Sequence, residues 1–345
     1  MRLVSPLLKH VVYPAFHYSR VFERITPGAG CAVVNYHGVI PADHSGDEPF
    51  LDANLVQPEV FRRQLQFLKR RYQVIGPEDF RVFIEQGTVL PPRAVLITCD
   101  DGLLNTLTDM LPVLQREEVS CLFFVTAASC REKPGMLWYE ELYHLTRVEP
   151  LNETESELLP DKSAGSTPEN FQGNWWNTVR RASRLEEGAR ADWIGLLRSR
   201  RGATHASRSE RRWRLLDVTE LKSLAASGMS IGAHTISHPV LSLCCEKEAH
   251  REIQGSKAEI ERVLGRAVWA FAYPYGDFST MGKREVRLAQ ESGFSCAFLN
   301  IPNGPVDRGN PFVLSRTHVT LDMSLPEFSA HVSGFHTRLQ RAVRG

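Results

Sequence analysis

Ala94-Val95-Leu96-Ile97-Thr98-Cys99-Asp100-Asp101-Gly102 is the stretch that decides the fold. Its first six residues carry no charge and read as a strand covered on both faces, the mark of a parallel sheet clothed by helices. The strand runs directly into two aspartates and a glycine. In parallel α/β sheets and barrels, sites are built at the carboxyl ends of strands. Neighbouring side chains there point apart, so the two carboxylates can serve separate tasks. Burying both is costly unless a cation or hydrogen-bond donors compensate them. A turn that merely caps the next helix is the plain alternative.

Outward from this stretch, short apolar runs alternate with helical patterns. Ala32–His37, Tyr72–Ile75, Cys121–Val125, Met229–His234, Ala267–Tyr273, Ser295–Phe298 and Phe312–Val319 read as strands. Phe61, Leu65 and Leu68 recur at helical spacing within Pro58–Arg71. Pro77–Gln86 is a second helix closed by Gly87, and Glu246–Leu264 and Lys283–Gly293 are two more. Asp217 with Glu220 three residues later forms a capping box for a helix that ends at Gly228. This alternation predicts an α/β fold with a mainly parallel sheet or barrel.

The rhythm breaks between about residues 140 and 214, which predicts a partly helical insertion. It opens with an acidic loop (Glu153, Glu155, Glu157, Asp161) and turns arginine-rich from Arg180 to Arg214, with Glu186, Glu187, Asp192 and Glu210 as the local counter-charges. A solvated helical face is one reading; a lid or docking surface for an anionic substrate or a membrane is the other. Asn152-Glu153-Thr154 matches a glycosylation acceptor. Residues 1–29 are expected to be an N-terminal helical segment, 30–330 the main domain and 331–345 a tail. Leu7–Phe16 is apolar but interrupted by Pro14, so a packing helix is expected, with peripheral membrane contact as the other reading.

Composition narrows the function. The 345-residue chain has a formal net charge of +1, which gives no electrostatic case for nucleic acid. Seven cysteines without regular spacing do not form a disulfide framework and point to free thiols in a reducing compartment. No stretch reaches the roughly 18–20 apolar residues that span a bilayer. Without a secretory signal pattern, the cytoplasm or the cytoplasmic face of the membrane is the expected location.

Two further segments sit at predicted strand ends. In His234-Thr235-Ile236-Ser237-His238-Pro239 the two histidines converge if the segment forms one helical turn. Two histidines and an aspartate make a facial ligand set that leaves positions open. In Phe271-Ala272-Tyr273-Pro274-Tyr275-Gly276 the proline and glycine fix a rigid turn that can aim a backbone N–H at a developing oxyanion.

Together these segments resemble the polysaccharide deacetylase family (NodB homology, carbohydrate esterase family 4). Thr98–Gly102 matches its T-F-D-D-G motif with Cys99 in the Phe place, His234–Pro239 matches H-[ST]-x-x-H-P, and Pro274-Tyr275-Gly276 matches P-Y-G. Asn35-Tyr36-His37-Gly38 is similar to the Y-H segment near the start of many bacterial members. The likeness covers residues 30–320 apart from the insertion. It implies a distorted (β/α) barrel with an expected seven strands. It also implies a divalent metal, usually zinc, on Asp101, His234 and His238. Asp100 would be the general base, and the backbone N–H of Tyr275 would help hold the oxyanion. The implied activity is removal of the N-acetyl group from an N-acetylhexosamine in a polysaccharide or lipid-linked saccharide.

Two departures stand out. The family's third motif has an arginine two residues before its proline, to orient the base; here that place is Ala272. Its last motif supplies a histidine as L-x-H; here Leu314-Ser315-Arg316-Thr317-His318 puts Arg316 in that position. His37 and His318 are therefore both candidates for the general acid, or satisfied core histidines. Asp277 reads as a cap. Two competing functions are a carbohydrate-binding relative without turnover and a hydrolase of O-acetyl groups or a small cyclic amide.

Overall fold

Eight strands follow one another along the chain in a computed structural model that describes residues 6–25, 30–44, 48–160, 171–202, 210–302 and 304–344. They are β1 (Cys31–Tyr36), β2 (Gln73–Val74), β3 (Ala94–Cys99), β4 (Leu122–Val125), β5 (Ser230–Ala233), β6 (Ala270–Ala272), β7 (Cys296–Phe298) and β8 (Thr317–His318). Seven form one curled parallel path in the order β7-β6-β5-β4-β3-β1-β8, with β2 pairing beside β3. The seven-strand barrel architecture implied by the resemblance is thus the one observed. The segment before β8 ties the two edges together: Leu314 bridges Phe298, and Arg316 N donates to Ile301 O, while β8 pairs with Val34 and Asn35.

Every residue of β1 and β3 is buried, as an unbroken apolar run requires. Because strand side chains alternate, each strand feeds two cores. Val95, Ile97 and Cys99 face outward to a layer that holds Phe61, Leu65, Leu68 and Ile253 of the surrounding helices. Leu96, Phe124, Ala270 and Phe298 face inward. Gly232 is small because a Cβ there would lie 2.6 Å from the Phe124 ring. The same alternation continues past the apolar part of each strand and turns Asn35, Thr98 and Asp100 into the barrel mouth.

Between β4 and β5 the chain forms helices Trp138–Val148, Glu153–Glu157, Phe171–Ala182, Glu187–Arg201 and Glu210–Trp213. They share a core of Leu142, Leu145, Trp175, Val179, Trp193 and Leu197. Here the expected acidic loop is corrected: its first part is a helix. Asn152 caps it, its side chain accepting from Glu155 N at 2.9 Å, so the amide of the acceptor sequence is engaged in the cap. The arginine excess is also corrected. Arg198 pairs with Glu141, Arg201 with Glu155, Arg211 with Asp43 and Asp109, Arg212 with Asp52 and Glu140, and Arg214 with Glu220. These carboxylates come largely from outside the arginine-rich run, so a local count overstated the uncompensated charge. Arg208 and Asp161 lie outside the described residues.

The Glu155 pair sets an expected acid sensitivity. Arg201 donates to both carboxylate oxygens, at 2.7 and 2.6 Å, and these bonds hold the Glu155 carboxyl at about 2 instead of its ordinary 4.5. A depressed carboxyl stabilises the fold fully above its unfolded value and loses that contribution as pH falls through its folded value. Stability should therefore drop between about pH 4.5 and 2 in acid titration followed by circular dichroism. Glu155→Gln should show a shallower slope in that window; an unchanged slope would remove this pair from the account.

In the N-terminal segment Tyr13 and Phe22 are buried with Ala330, and Lys9 reaches Asp322 at 2.7 Å. The expected tail at 331–345 instead carries helix Phe335–Arg344, and the 330 boundary falls inside helix Leu325–Val332. Phe335 packs edge-on against Tyr13 at 6.4 Å, an apolar contact that favours a helix over a free end. Among the described residues no helix is long and apolar enough to cross a membrane.

Candidate active site

Three rim loops after β3, β5 and β6 bring the singled-out segments together. Their backbones are unusual. Asp101 (φ 77°), Thr235 (φ 66°), His238 (φ 59°) and Tyr275 (φ 61°) all adopt the left-handed conformation. For a residue with a Cβ this costs roughly 1–2 kcal/mol. Gly276 follows at φ 65°, where a Cβ would lie 2.5 Å from Asn300 N, so glycine is required for that close approach.

Asp101 leaves the strand and turns toward the two histidines. Its Oδ1 lies 3.5 Å from His234 Nε2 and 3.4 Å from His238 Nε2. One ligating atom from each of the three residues lies within 4.8 Å of the others, and all three residues are buried. The expected helical turn is corrected: residues 234–239 form bends with two left-handed residues, and the imidazoles meet at 4.9 Å between ring centroids. Glu252 holds this loop by accepting from Ile236 N at 2.8 Å and Ser237 N at 2.9 Å. Arg190 bonds the Ser237 hydroxyl, and Trp138 Nε1 donates to His238 O at 3.1 Å.

The donor set fits a cation. His234 Nδ1 donates to Ala272 O at 2.7 Å, which leaves the Nε2 lone pair facing Asp101. Asp101 Oδ1 is buried without a hydrogen-bond partner in the protein, a costly state for a carboxylate oxygen unless a positive charge meets it. Burial pushes the Asp101 carboxyl up, but the facing imidazoles of His234, His37 and His238 hold it well below the usual range. Burial, then the charge of His234, lowers His238 to about 3, so it presents a neutral imidazole.

Beside this cluster Asp100 is gripped from the opposite end of the sequence. Arg316 donates to both of its oxygens, at 2.7 and 2.6 Å, and Asn35 Nδ2 donates at 2.9 Å. Arg316 is itself fully buried, lies over the Phe124 and Phe298 rings and donates through Nε to Leu299 O at 2.8 Å. Burial alone would raise the Asp100 carboxyl; the charges of Arg316 and His234 outweigh it and hold the carboxyl below its ordinary value. Arg316 thus supplies the cation that Ala272 does not.

His37 Nε2 lies 3.9 Å from Asp100 Oδ2, and the His37 and His318 rings are 4.8 Å apart. Both candidate acids therefore reach the site. Burial lowers both imidazoles, His318 to about 3 with the help of His37. Tyr275 packs against His238 at 4.8 Å. Asp277 accepts from Ser279 N at 2.7 Å and closes a turn, while the cap of the following helix Lys283–Glu291 is Gly282, so the helix-cap expectation for Asp277 is corrected. Arg190, Glu252 and Trp138 were not singled out as site residues from the sequence, and Asn35 was quoted only as the first residue of Asn35-Tyr36-His37-Gly38. Only Asn35 carried a signal, as a polar residue inside an otherwise buried strand.

The polysaccharide deacetylase family model matches residues 203–295, which include His234, His238 and Pro274-Tyr275-Gly276. Poly-beta-1,6-N-acetyl-D-glucosamine N-deacetylase of Escherichia coli (strain K12) is 29% identical over 103 residues, 30% of this chain and 15% of that protein. The match thus spans well under two thirds of that relative's length. Two solved structures superpose with a TM-score of 0.56: the deacetylase PplD of Streptococcus pyogenes in complex with acetate, at 16% identity, and IcaB of Ammonifex degensii, at 19%. The first covers 89% of this chain and 99% of its own, the second 89% and 98%. At these identities the likeness speaks for the fold.

Proposed function

We propose that this chain, which matches the polysaccharide deacetylase family model over residues 203–295, is a member of that family and hydrolyses the N-acetyl group of an N-acetylhexosamine in a polysaccharide or a lipid-linked saccharide. One observation carries this reading: Asp101, His234 and His238 converge within 4.8 Å beside a second carboxylate held ionised by a buried arginine. A carbohydrate-binding relative without turnover would have no use for that second carboxylate.

Asp101 Oδ1, His234 Nε2 and His238 Nε2 would hold a divalent cation, with zinc the best match for one carboxylate and two imidazoles. Such a cation, when bound, acts as a Lewis acid that acidifies water and polarises the acetyl carbonyl. Asp100 accepts the proton as the water oxygen attacks the acyl carbon, and Arg316 and Asn35 keep its carboxylate charged and aimed. The Tyr275 N–H, on the rim turn beside His238, stabilises the negative oxygen. As the C–N bond breaks, the amine nitrogen takes a proton and acetate departs. His37, 3.9 Å from Asp100, is placed to pass that proton on, with His318 behind it.

Acetate release measured across N-acetylated oligosaccharides and lipid-linked saccharides tests the proposal. Activity should vanish on chelation and return with Zn2+. A folded protein that binds the ion and releases no acetate from any of them would overturn it. We infer that the reaction takes place in the cytoplasm or at the cytoplasmic face of the membrane, a reading supported by seven cysteines that are all free thiols.

A further inference from the structure

We propose that the helices inserted between β4 and β5 form a stacking wall for the sugar next to the one being deacetylated, with Trp176 as its contact residue. The inference rests on the deacetylase reading above and makes the preferred substrate an oligomer, not a single sugar.

Helix Phe171–Ala182 carries two adjacent tryptophans whose rings touch at 5.9 Å but differ in exposure. Trp175 is buried in the insertion's core, and its Nε1 donates to Tyr139 O at 3.0 Å. Trp176 is only half-buried and meets the Tyr275 ring edge-on at 5.1 Å. Tyr275 in turn packs on the imidazole of His238 at 4.8 Å, and Tyr139 touches His238 at 5.1 Å and Tyr275 at 6.0 Å. An unbroken row of rings therefore runs from the ligand cluster out to the insertion. Just beyond the Pro-Tyr-Gly turn, Phe278 is 69% exposed.

Large aromatic rings left partly in water beside a reaction centre call for a ligand, because covering them removes apolar area from water. The polar groups in the wall define that ligand. Gln172 is exposed one helical turn before Trp176 and shares its face. The Tyr275 hydroxyl is buried without a hydrogen-bond partner in the protein. An aromatic face flanked by an amide and a hydroxyl suits a pyranose, which offers an apolar C–H face edged with hydroxyls. A lipid tail would leave both polar groups unmatched. Trp176 lies two ring contacts out from His238, beyond an acetamide held at the cluster but within reach of the next sugar along the chain.

The test compares N-acetylglucosamine with its β-1,4- and β-1,6-linked pentamers. Trp176→Ala should raise KM for the preferred pentamer about tenfold, with kcat nearly unchanged and the single sugar turned over as before. Trp176→Phe should restore part of the affinity. Gln172→Ala, at an exposed position that leaves the fold intact, should weaken pentamer binding alone. Calorimetric binding of the pentamers to the Asp100→Asn protein separates this inference from the one beneath it. Binding that depends on Trp176 without any acetate release by the parent protein sustains the wall and sinks the deacetylase. A parent protein that binds pentamers no better than the single sugar, or a Trp176→Ala loss shared equally by both, overturns the wall.

Discussion

Asp100→Asn should slow acetate release by about 10²–10⁴-fold, the usual contribution of a general base, while the protein still holds one cation. The substitution keeps the side chain's shape and removes its charge and basicity. It leaves Asp101, His234 and His238 in place, and these supply all the ligand atoms of the cluster. Elemental analysis and an acetate assay on the same preparation check both halves. Full activity in the metal-loaded variant would show that some other group takes the proton. Loss of the cation together with activity would instead assign Asp100 to building the cluster.

Arg316→Met should be the most damaging single substitution in the barrel interior. Arg316 and Asp100 are both nearly inaccessible to water and joined by two short bonds. Breaking a buried pair by removing one partner typically costs about 3–5 kcal/mol, because a bare charge is left behind. Methionine keeps most of the volume over Phe124 and Phe298, so the loss falls on the charge. The carboxyl would escape by taking up a proton, and its pKa would rise from below to above the ordinary value. With the sign followed through, the acidic limb of kcat/KM should move to higher pH, since a base must be unprotonated to act. A melting curve and a pH–rate profile read the two effects. A variant with unchanged melting and an unchanged acidic limb would show that Asp100 does not depend on Arg316.

How far the sequence foretold these arrangements depended on distance along the chain. β3 was legible because six consecutive residues carry the whole signal, and helix Pro58–Arg71 because its apolar spacing lies within one element. The three motif segments were legible for the same reason: each is a few residues long. The Asp100–Arg316 pair spans 216 positions. Ala272 announced that a cation had to come from elsewhere, and the place of Arg316 in the last motif marked it as a site candidate, but nothing local says that it pairs with Asp100. The arginine-rich run misled in the same way, because Asp43, Asp52, Asp109 and Glu220, which neutralise part of it, lie well away from the run itself or at its very edge. A spacing of four between His234 and His238 is equally compatible with a helical turn and with the loop observed. The loop is selected by contacts from Glu252, Arg190 and Trp138, which no period in the sequence reveals. β2 and β8 were legible as runs, Tyr72–Ile75 and Phe312–Val319, but each pairs over only two residues, a length set by its neighbours and not by its own sequence.

The left-handed residues at the rim carry a consequence for anyone who tries to harden this protein against heat. Glycine would relax Asp101, Thr235, His238 and Tyr275 with the least conformational penalty. Yet glycine offers no carboxylate, no imidazole, no hydroxyl to receive the His238 N–H and no ring to pack on His238. A screen that rewards melting temperature alone would thus be drawn toward the very positions where comfort and chemistry demand different residues. Thermal gain there should come paired with a blunted catalyst.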